Sequence, residues 1–112
     1  MSNHFKETEF ACKCCGVTKV NPKLLSLLNV IREELDEPIY ITSGYRCPKH
    51  NKECGGKPKS QHMLGNAADI HVKSMNPKQL YTLLEGKFNI QGMGLYPTFV
   101  HIDVRETGKA RW

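Results

Sequence analysis

The 112 residues, 39% hydrophobic and 24% charged, are enough for one domain (1–112) with a single apolar core and no obligatory disulfides. No apolar run approaches the ~20 residues of a membrane span, and residues Met1 to Gly16 lack the basic, apolar and small-residue stretches of a secretory signal, so the expected setting is the cytoplasm or release by another route. A net charge of +5 and a pI near 9.0 attract polyanions such as nucleic acid or an anionic cell wall, but the basic residues are scattered and form no block.

Five cysteines, Cys12, Cys14, Cys15, Cys47 and Cys54, open the chain order and all fall in its first half. An odd count without a signal argues against a complete secreted disulfide framework. Asn21-Pro22 is a helix opening, with Asn as N-cap and Pro at the first helical position. Leu24, Leu27, Leu28, Ile31 and Leu35 then recur at helical spacing, and Asp36-Glu37-Pro38 ends the helix. Pro38 to Ser43 is β-branched and aromatic and reads as a strand. From Gly44 to Gly65 the chain is rich in Gly, Pro, Lys and Asn without an apolar period, a long irregular segment of the kind that is usually functional. Ala67 to Val72 reads as a second strand. Asn76-Pro77 opens another helix with Leu80, Leu83, Leu84 and Phe88 on its apolar face. Gly92 to Tyr96 and Phe99 to Val104 follow as two strands joined through Pro97-Thr98, an expected antiparallel pair. The fold class is therefore α+β, a small antiparallel sheet with helices on one face.

Side chains alternate across a strand, so Asp69 and His71 share one face of the second strand while Ile70 and Val72 share the other. In the last strand His101 and Asp103 oppose Val100, Ile102 and Val104. Burying each Ile or Val contributes roughly 1.5–3 kcal/mol, and a slip of one residue would bury the charged row instead. The polar row must face away from the helices. His62 precedes Asp69 by seven residues, and a turn at Gly65 can bring it back. Two imidazoles and a carboxylate suit Zn²⁺ and leave a fourth position for water, the mark of a catalytic rather than a structural zinc. Spacing alone leaves solvated His and Asp as an equal reading.

Four motifs stand in order: Ser43-Gly44-Tyr45-Arg46; Ser60-x-His62-x-x-Gly65-x-Ala67-x-Asp69; Gly92-x-Gly94-x-Tyr96; and Val100-His101-Ile102-Asp103, followed by a terminal Arg111-Trp112. From about Phe10 to Trp112 the chain resembles the zinc D-alanyl-D-alanine carboxypeptidase and endopeptidase family. That family includes vancomycin-resistance D,D-dipeptidases and phage endolysin peptidases and shares its fold with the hedgehog signalling domain; the likeness is to the short branch with a His-x-Asp strand. The resemblance implies a zinc metallopeptidase of D-amino-acid-containing peptidoglycan peptides, with His62, Asp69 and His101 as zinc ligands. It also implies that Arg46 steadies a substrate carbonyl or carboxylate, for which a planar, permanently charged guanidinium is suited. Ser60 is a substrate contact or a turn residue. Where better-known members carry an acid three residues before the last ligand, this chain has Thr98, which cannot act as a base. Asp103 is the replacement candidate, and its other reading is a carboxylate that orients His101 or pairs with Arg46. His71 is a proton carrier or a solvent-facing histidine.

Cys12-x-x-Cys15-Gly16 has the form of a zinc knuckle. With Cys47 and Cys54 it makes either a structural metal site or two disulfides, unless the thiols are simply reduced. Three function classes follow: a peptidoglycan peptidase, with release by phage-type lysis as one route to its substrate; a non-catalytic zinc-binding domain of the same fold; and a nucleic-acid-binding zinc module. The last lacks the expected C-x-x-C…H-x-x-x-H spacing, and no nucleic-acid partner is expected. A monomer is the expected state.

Overall fold

A computed structural model of the protein describes residues 4–56 and 60–112. Its elements run α1 (Pro22–Leu35), β1 (Tyr40–Ser43), α2 (Pro48–Glu53), β2 (Ala67–His71), α3 (Pro77–Lys87), β3 (Gly92–Leu95), β4 (Val100–Asp103) and β5 (Ala110–Arg111), with 3-10 turns at Glu7–Phe10 and Gln61–Leu64. The sheet order is β1-β2-β4-β3-β5.

Both long helices begin as their local sequence dictates. The Asn21 side chain accepts the Lys23 backbone N–H at 2.9 Å, Pro22 fills the first position, and Asp36 ends α1 in the left-handed conformation (φ 51°). At α3 Asn76 and Gln79 cap each other reciprocally, at 2.8 and 2.9 Å. Leu24, Leu28 and Ile31 of α1 and Leu80 and Leu84 of α3 form one buried cluster with Ala68, Ile70, Val72, Met93, Val100 and Ile102 from the sheet. Leu27, Leu35, Leu83 and Phe88 pack at its margin. The even-numbered residues of β2 and β4 thus face the helices, and Asp69, His101 and Asp103 are driven to the opposite face.

Two expectations change. The sheet is mixed rather than wholly antiparallel, because the short C-terminal β5 pairs parallel to β3, Gly92 opposite Ala110. The segment from Gly44 to Gly65 is also less irregular than its composition suggests. It contains α2, capped by Cys47, and the 3-10 turn capped by Ser60, while residues 57–59 of it lie outside the described residues.

Register places the polar row. Asp69 lies directly opposite His101, Gly94 opposite His101 on the other side, and Gly92 opposite Asp103. No helix among the described residues is long and apolar enough to cross a membrane.

Candidate metal centre

Each donor is positioned by a different element. Gly65, in the left-handed conformation (φ 74°), closes the 3-10 turn that carries His62, and the Ser60 hydroxyl accepts the His62 backbone N–H at 3.2 Å. Asp69 and His101 stand on neighbouring strands, in register. The three side chains are almost fully buried. Their donor atoms all lie within 4.8 Å of one another, so the structure brings together the three residues that the sequence proposed.

The hydrogen bonds identify which ring atoms carry protons. His62 Nδ1 is 2.7 Å from the Gly44 carbonyl oxygen, a pure acceptor, so Nδ1 donates and Nε2 keeps its lone pair. His101 has a carboxylate at each nitrogen, Asp103 2.8 Å from Nε2 and Asp69 3.0 Å from Nδ1; in the neutral ring a proton on Nε2, at the shorter contact, leaves Nδ1 its lone pair. Both inner nitrogens approach the same oxygen, Asp69 Oδ1, at 3.1 and 3.0 Å. With neutral rings, three electron-pair donors would face one another in a dry pocket. A divalent cation satisfies all three, and outer hydrogen bonds to a carbonyl and a carboxylate are the usual supports of metal-bound histidines. The donor set therefore fits zinc with a position to spare.

The surrounding charges make the same demand. Burial pushes Asp69 up, but the His101 and His62 rings packed against it outweigh that and hold the carboxyl down at about 2. Burial pulls His101 down, and its bonds to Asp103 and Asp69 raise it on balance. The pocket favours positive charge among these groups.

Arg46 does not reach Asp103. Its Nη2 donates to Asp69 Oδ2 at 3.1 Å, and its Nε to the Ser43 hydroxyl at 3.1 Å. The partner of Asp103 is instead Arg105, which had drawn no notice in the sequence. Arg105 Nε and Nη2 bind the two carboxylate oxygens at 2.8 and 2.7 Å, and its backbone N–H adds a third bond at 3.2 Å. Asp103 is fully buried. Burial raises its carboxyl, but the Arg105 and His101 bonds hold it well below the usual range. An i, i+2 Asp-x-Arg pair leaving a strand end was the available signal. His71 is half-buried rather than solvent-facing. Its ring stacks on Tyr40 at 5.2 Å, and its Nδ1 is buried without a partner among the described residues.

Two glycines of the third motif make room for the site. A Cβ at Gly92 would overlap the carboxylate of Asp103, and one at Gly94 would overlap the indole of Trp112. Trp112 lies 5.0 Å from the His101 ring, its Nε1 donates to the Tyr96 hydroxyl at 2.8 Å, and Arg105 sits over its face at 5.2 Å. Tyr96 stacks on Phe99 at 4.6 Å. These aromatics wall a cleft of about 550 Å³, within the size range of ligand sites, whose other walls are Arg46, Ser60, Gln61 and Cys54. Gly92→Ala should lower stability by about 1–3 kcal/mol, the usual range for forced overpacking. Gly86→Ala in α3, where a Cβ meets nothing within 4 Å, should instead gain about 0.5–1 kcal/mol. Urea unfolding of the two variants checks the opposite signs.

The cysteines divide. Cys12, Cys15 and Cys47 place their sulfurs within 4.8 Å of one another, whereas Cys54 stands apart, 3.5 Å from His50 Nε2 and on the wall of the cleft. No disulfide joins any of the five.

The profile of the family described as Peptidase M15 matches residues 3–103, most of the chain, and the chain belongs to that family of zinc-dependent peptidases. No curated protein matches it.

Proposed function

We propose that this M15 peptidase hydrolyses D-amino-acid-containing peptides of bacterial peptidoglycan, as a carboxypeptidase or endopeptidase, with zinc held by His62, Asp69 and His101. The observation that carries the metal assignment is the locking of both imidazoles by their outer nitrogens, on Gly44 and Asp103, so that two lone pairs meet at Asp69. Zinc there supplies a Lewis acid and lowers the pKa of a bound water to about 7.

The chain's own groups do the rest. Among the described residues Ser43 and Asp69 engage Nε and Nη2 of Arg46, which leaves Nη1 for a substrate carbonyl or carboxylate in the cleft. A donor fixed in this way needs no reorganisation as negative charge develops on oxygen, an effect typically worth ~100–1,000-fold. Trp112, Tyr96 and Phe99 offer a peptide an apolar wall and shield His101 from bulk water. Asp103, tied to Arg105, orients His101 instead of acting as a base, because a carboxylate held so far below its usual range is a weak proton acceptor. Ser60 acts as the cap of the turn that carries His62.

One observation favours the second reading, a non-catalytic zinc domain. Asp69 is the sole carboxylate among the described residues lining the cleft, and Thr98 stands exposed on the β3–β4 hairpin. One assay decides between them. The zinc-loaded protein is incubated with peptidoglycan fragments, with and without chelator, and products are identified by mass spectrometry. Chelator-sensitive cleavage next to a D-residue is expected, at D-Ala–D-Ala or at L-Ala–D-Glu, while an all-L control peptide stays intact. Unaltered fragments from fully loaded protein would leave the non-catalytic reading.

A further inference from the structure

The three sulfurs of Cys12, Cys15 and Cys47 lie on a part of the chain that the peptidase chemistry does not use. We propose that they bind a second, structural zinc, which clamps the N-terminal segment to the segment bearing Arg46. Three geometric facts carry this. The sulfurs converge within 4.8 Å although Cys47 is 32 residues beyond Cys15; thiolates ~2.3 Å from a tetrahedral zinc stand ~3.8 Å apart.

The second fact is the shape of the loop. Cys12-Lys13-Cys14-Cys15-Gly16 folds back tightly, with Gly16 N–H on the Cys12 carbonyl and Cys12 N–H on the Val17 carbonyl, both at 2.8 Å. Gly16 takes φ 74°, and a bridge between Ala11 and Thr18 closes the hairpin. The backbone N–H of Cys47 aims at the Cys12 sulfur, at 3.4 Å. A neutral thiol accepts hydrogen bonds weakly, and an N–H aimed at the sulfur suits a thiolate.

The third is that Cys47 repeats the pattern from the other side, its sulfur accepting the His50 backbone N–H at 3.4 Å. Two peptide loops thus present amide-supported sulfurs to a common point. Three thiolates leave one tetrahedral position for water or a further ligand. Cys54 is not needed. A metal here fastens the residue next to Arg46 to a segment that already contacts it: Tyr45 N–H binds the Phe10 carbonyl at 2.8 Å, and Gly44 lies so close that a Cβ would stand 2.6 Å from Phe10 Cα. The metal would extend this contact into the hairpin.

The test needs a readout that the cleft zinc cannot supply. Protein purified under reducing, chelator-free conditions should carry two zinc ions per chain by elemental analysis and native mass spectrometry. A His62→Ala/His101→Ala variant should retain one. Cobalt loaded into that variant should show the intense near-ultraviolet absorption of thiolate-to-metal charge transfer, which His and carboxylate ligands do not produce. Cys12→Ser/Cys47→Ser should lose that ion and the absorption. If this variant fails to fold, the histidine variant with intact cysteines still gives the answer. A histidine variant without bound metal or the cobalt–thiolate band would overturn the proposal, as would a mass for unreduced protein lower by the hydrogens of a disulfide between these cysteines. Loss of cleavage activity alone bears only on the peptidase reading.

Discussion

Replacing His101 by alanine should remove the cleft zinc, one equivalent per chain, and reduce peptide hydrolysis to background. Among the described residues the ring alone joins Asp69 to Asp103, with one nitrogen on each carboxylate at 3.0 and 2.8 Å. Without it two donors remain, too few to hold zinc against water in an open cleft. The loss should exceed the ~10–100-fold that follows from removing an outer partner of a metal ligand. The fold should survive, because both carboxylates keep another partner, Asp69 with Arg46 and His62 and Asp103 with Arg105. His62→Ala should behave alike, since among the described residues its ring is held by Gly44 and the site. Elemental analysis of each variant, alongside turnover, checks the point. Retention of the full metal content in either would remove that residue from the ligand set.

How far the sequence could be read depended on the range of the interaction. The caps at Asn21 and Asn76, the prolines after them and the Leu24-Leu28-Ile31 stripe are local signals, and both long helices appear where these signals lie. The strict alternation in Ala68 to Val72 and Val100 to Val104 identified the apolar face of each strand, and with it the face of Asp69 and His101. What stayed hidden was either short or distant. Helix α2, Pro48–Glu53, is too brief to show a period, so its composition read as loop. The pairing of Ala110 with Gly92 is part of a two-residue contact between remote segments that helps to bring Trp112 over His101. The glycines at 92 and 94 were visible as a motif, but nothing local says that one makes room for Asp103 and the other for Trp112. Cys54 shared a loop with Cys47, yet the six-residue helix α2 separates their thiols and turns Cys54 to His50.

Asp103→Asn separates the two roles of that carboxylate. As a general base its removal would cut turnover by ~100–10,000-fold with zinc affinity unchanged. As the group that orients His101, its removal should weaken zinc binding by ~10–100-fold and lower turnover only as far as metal is lost, so excess zinc should restore much of the rate. The geometry supports the second outcome. An amide oxygen in the Oδ2 position would still accept from His101 Nε2 and Arg105 Nη2, but the NH₂ group would then face the Arg105 Nε–H and backbone N–H; flipped, it would face His101 Nε2–H and Nη2, so present bonds must break either way. Stability should fall as well. Removing one partner of a buried ion pair costs about 3–5 kcal/mol, and here the Arg105 side chain, 20% exposed and stacked on Trp112, can recover part of its hydration, so the loss should lie at or below the lower end. Zinc titration, turnover at saturating zinc and urea unfolding of the same variant give the three readings. Turnover that stays collapsed when the metal site is full would return Asp103 to the role of base. Turnover that recovers with zinc would mark it as the carboxylate that holds His101 in its metal-binding tautomer.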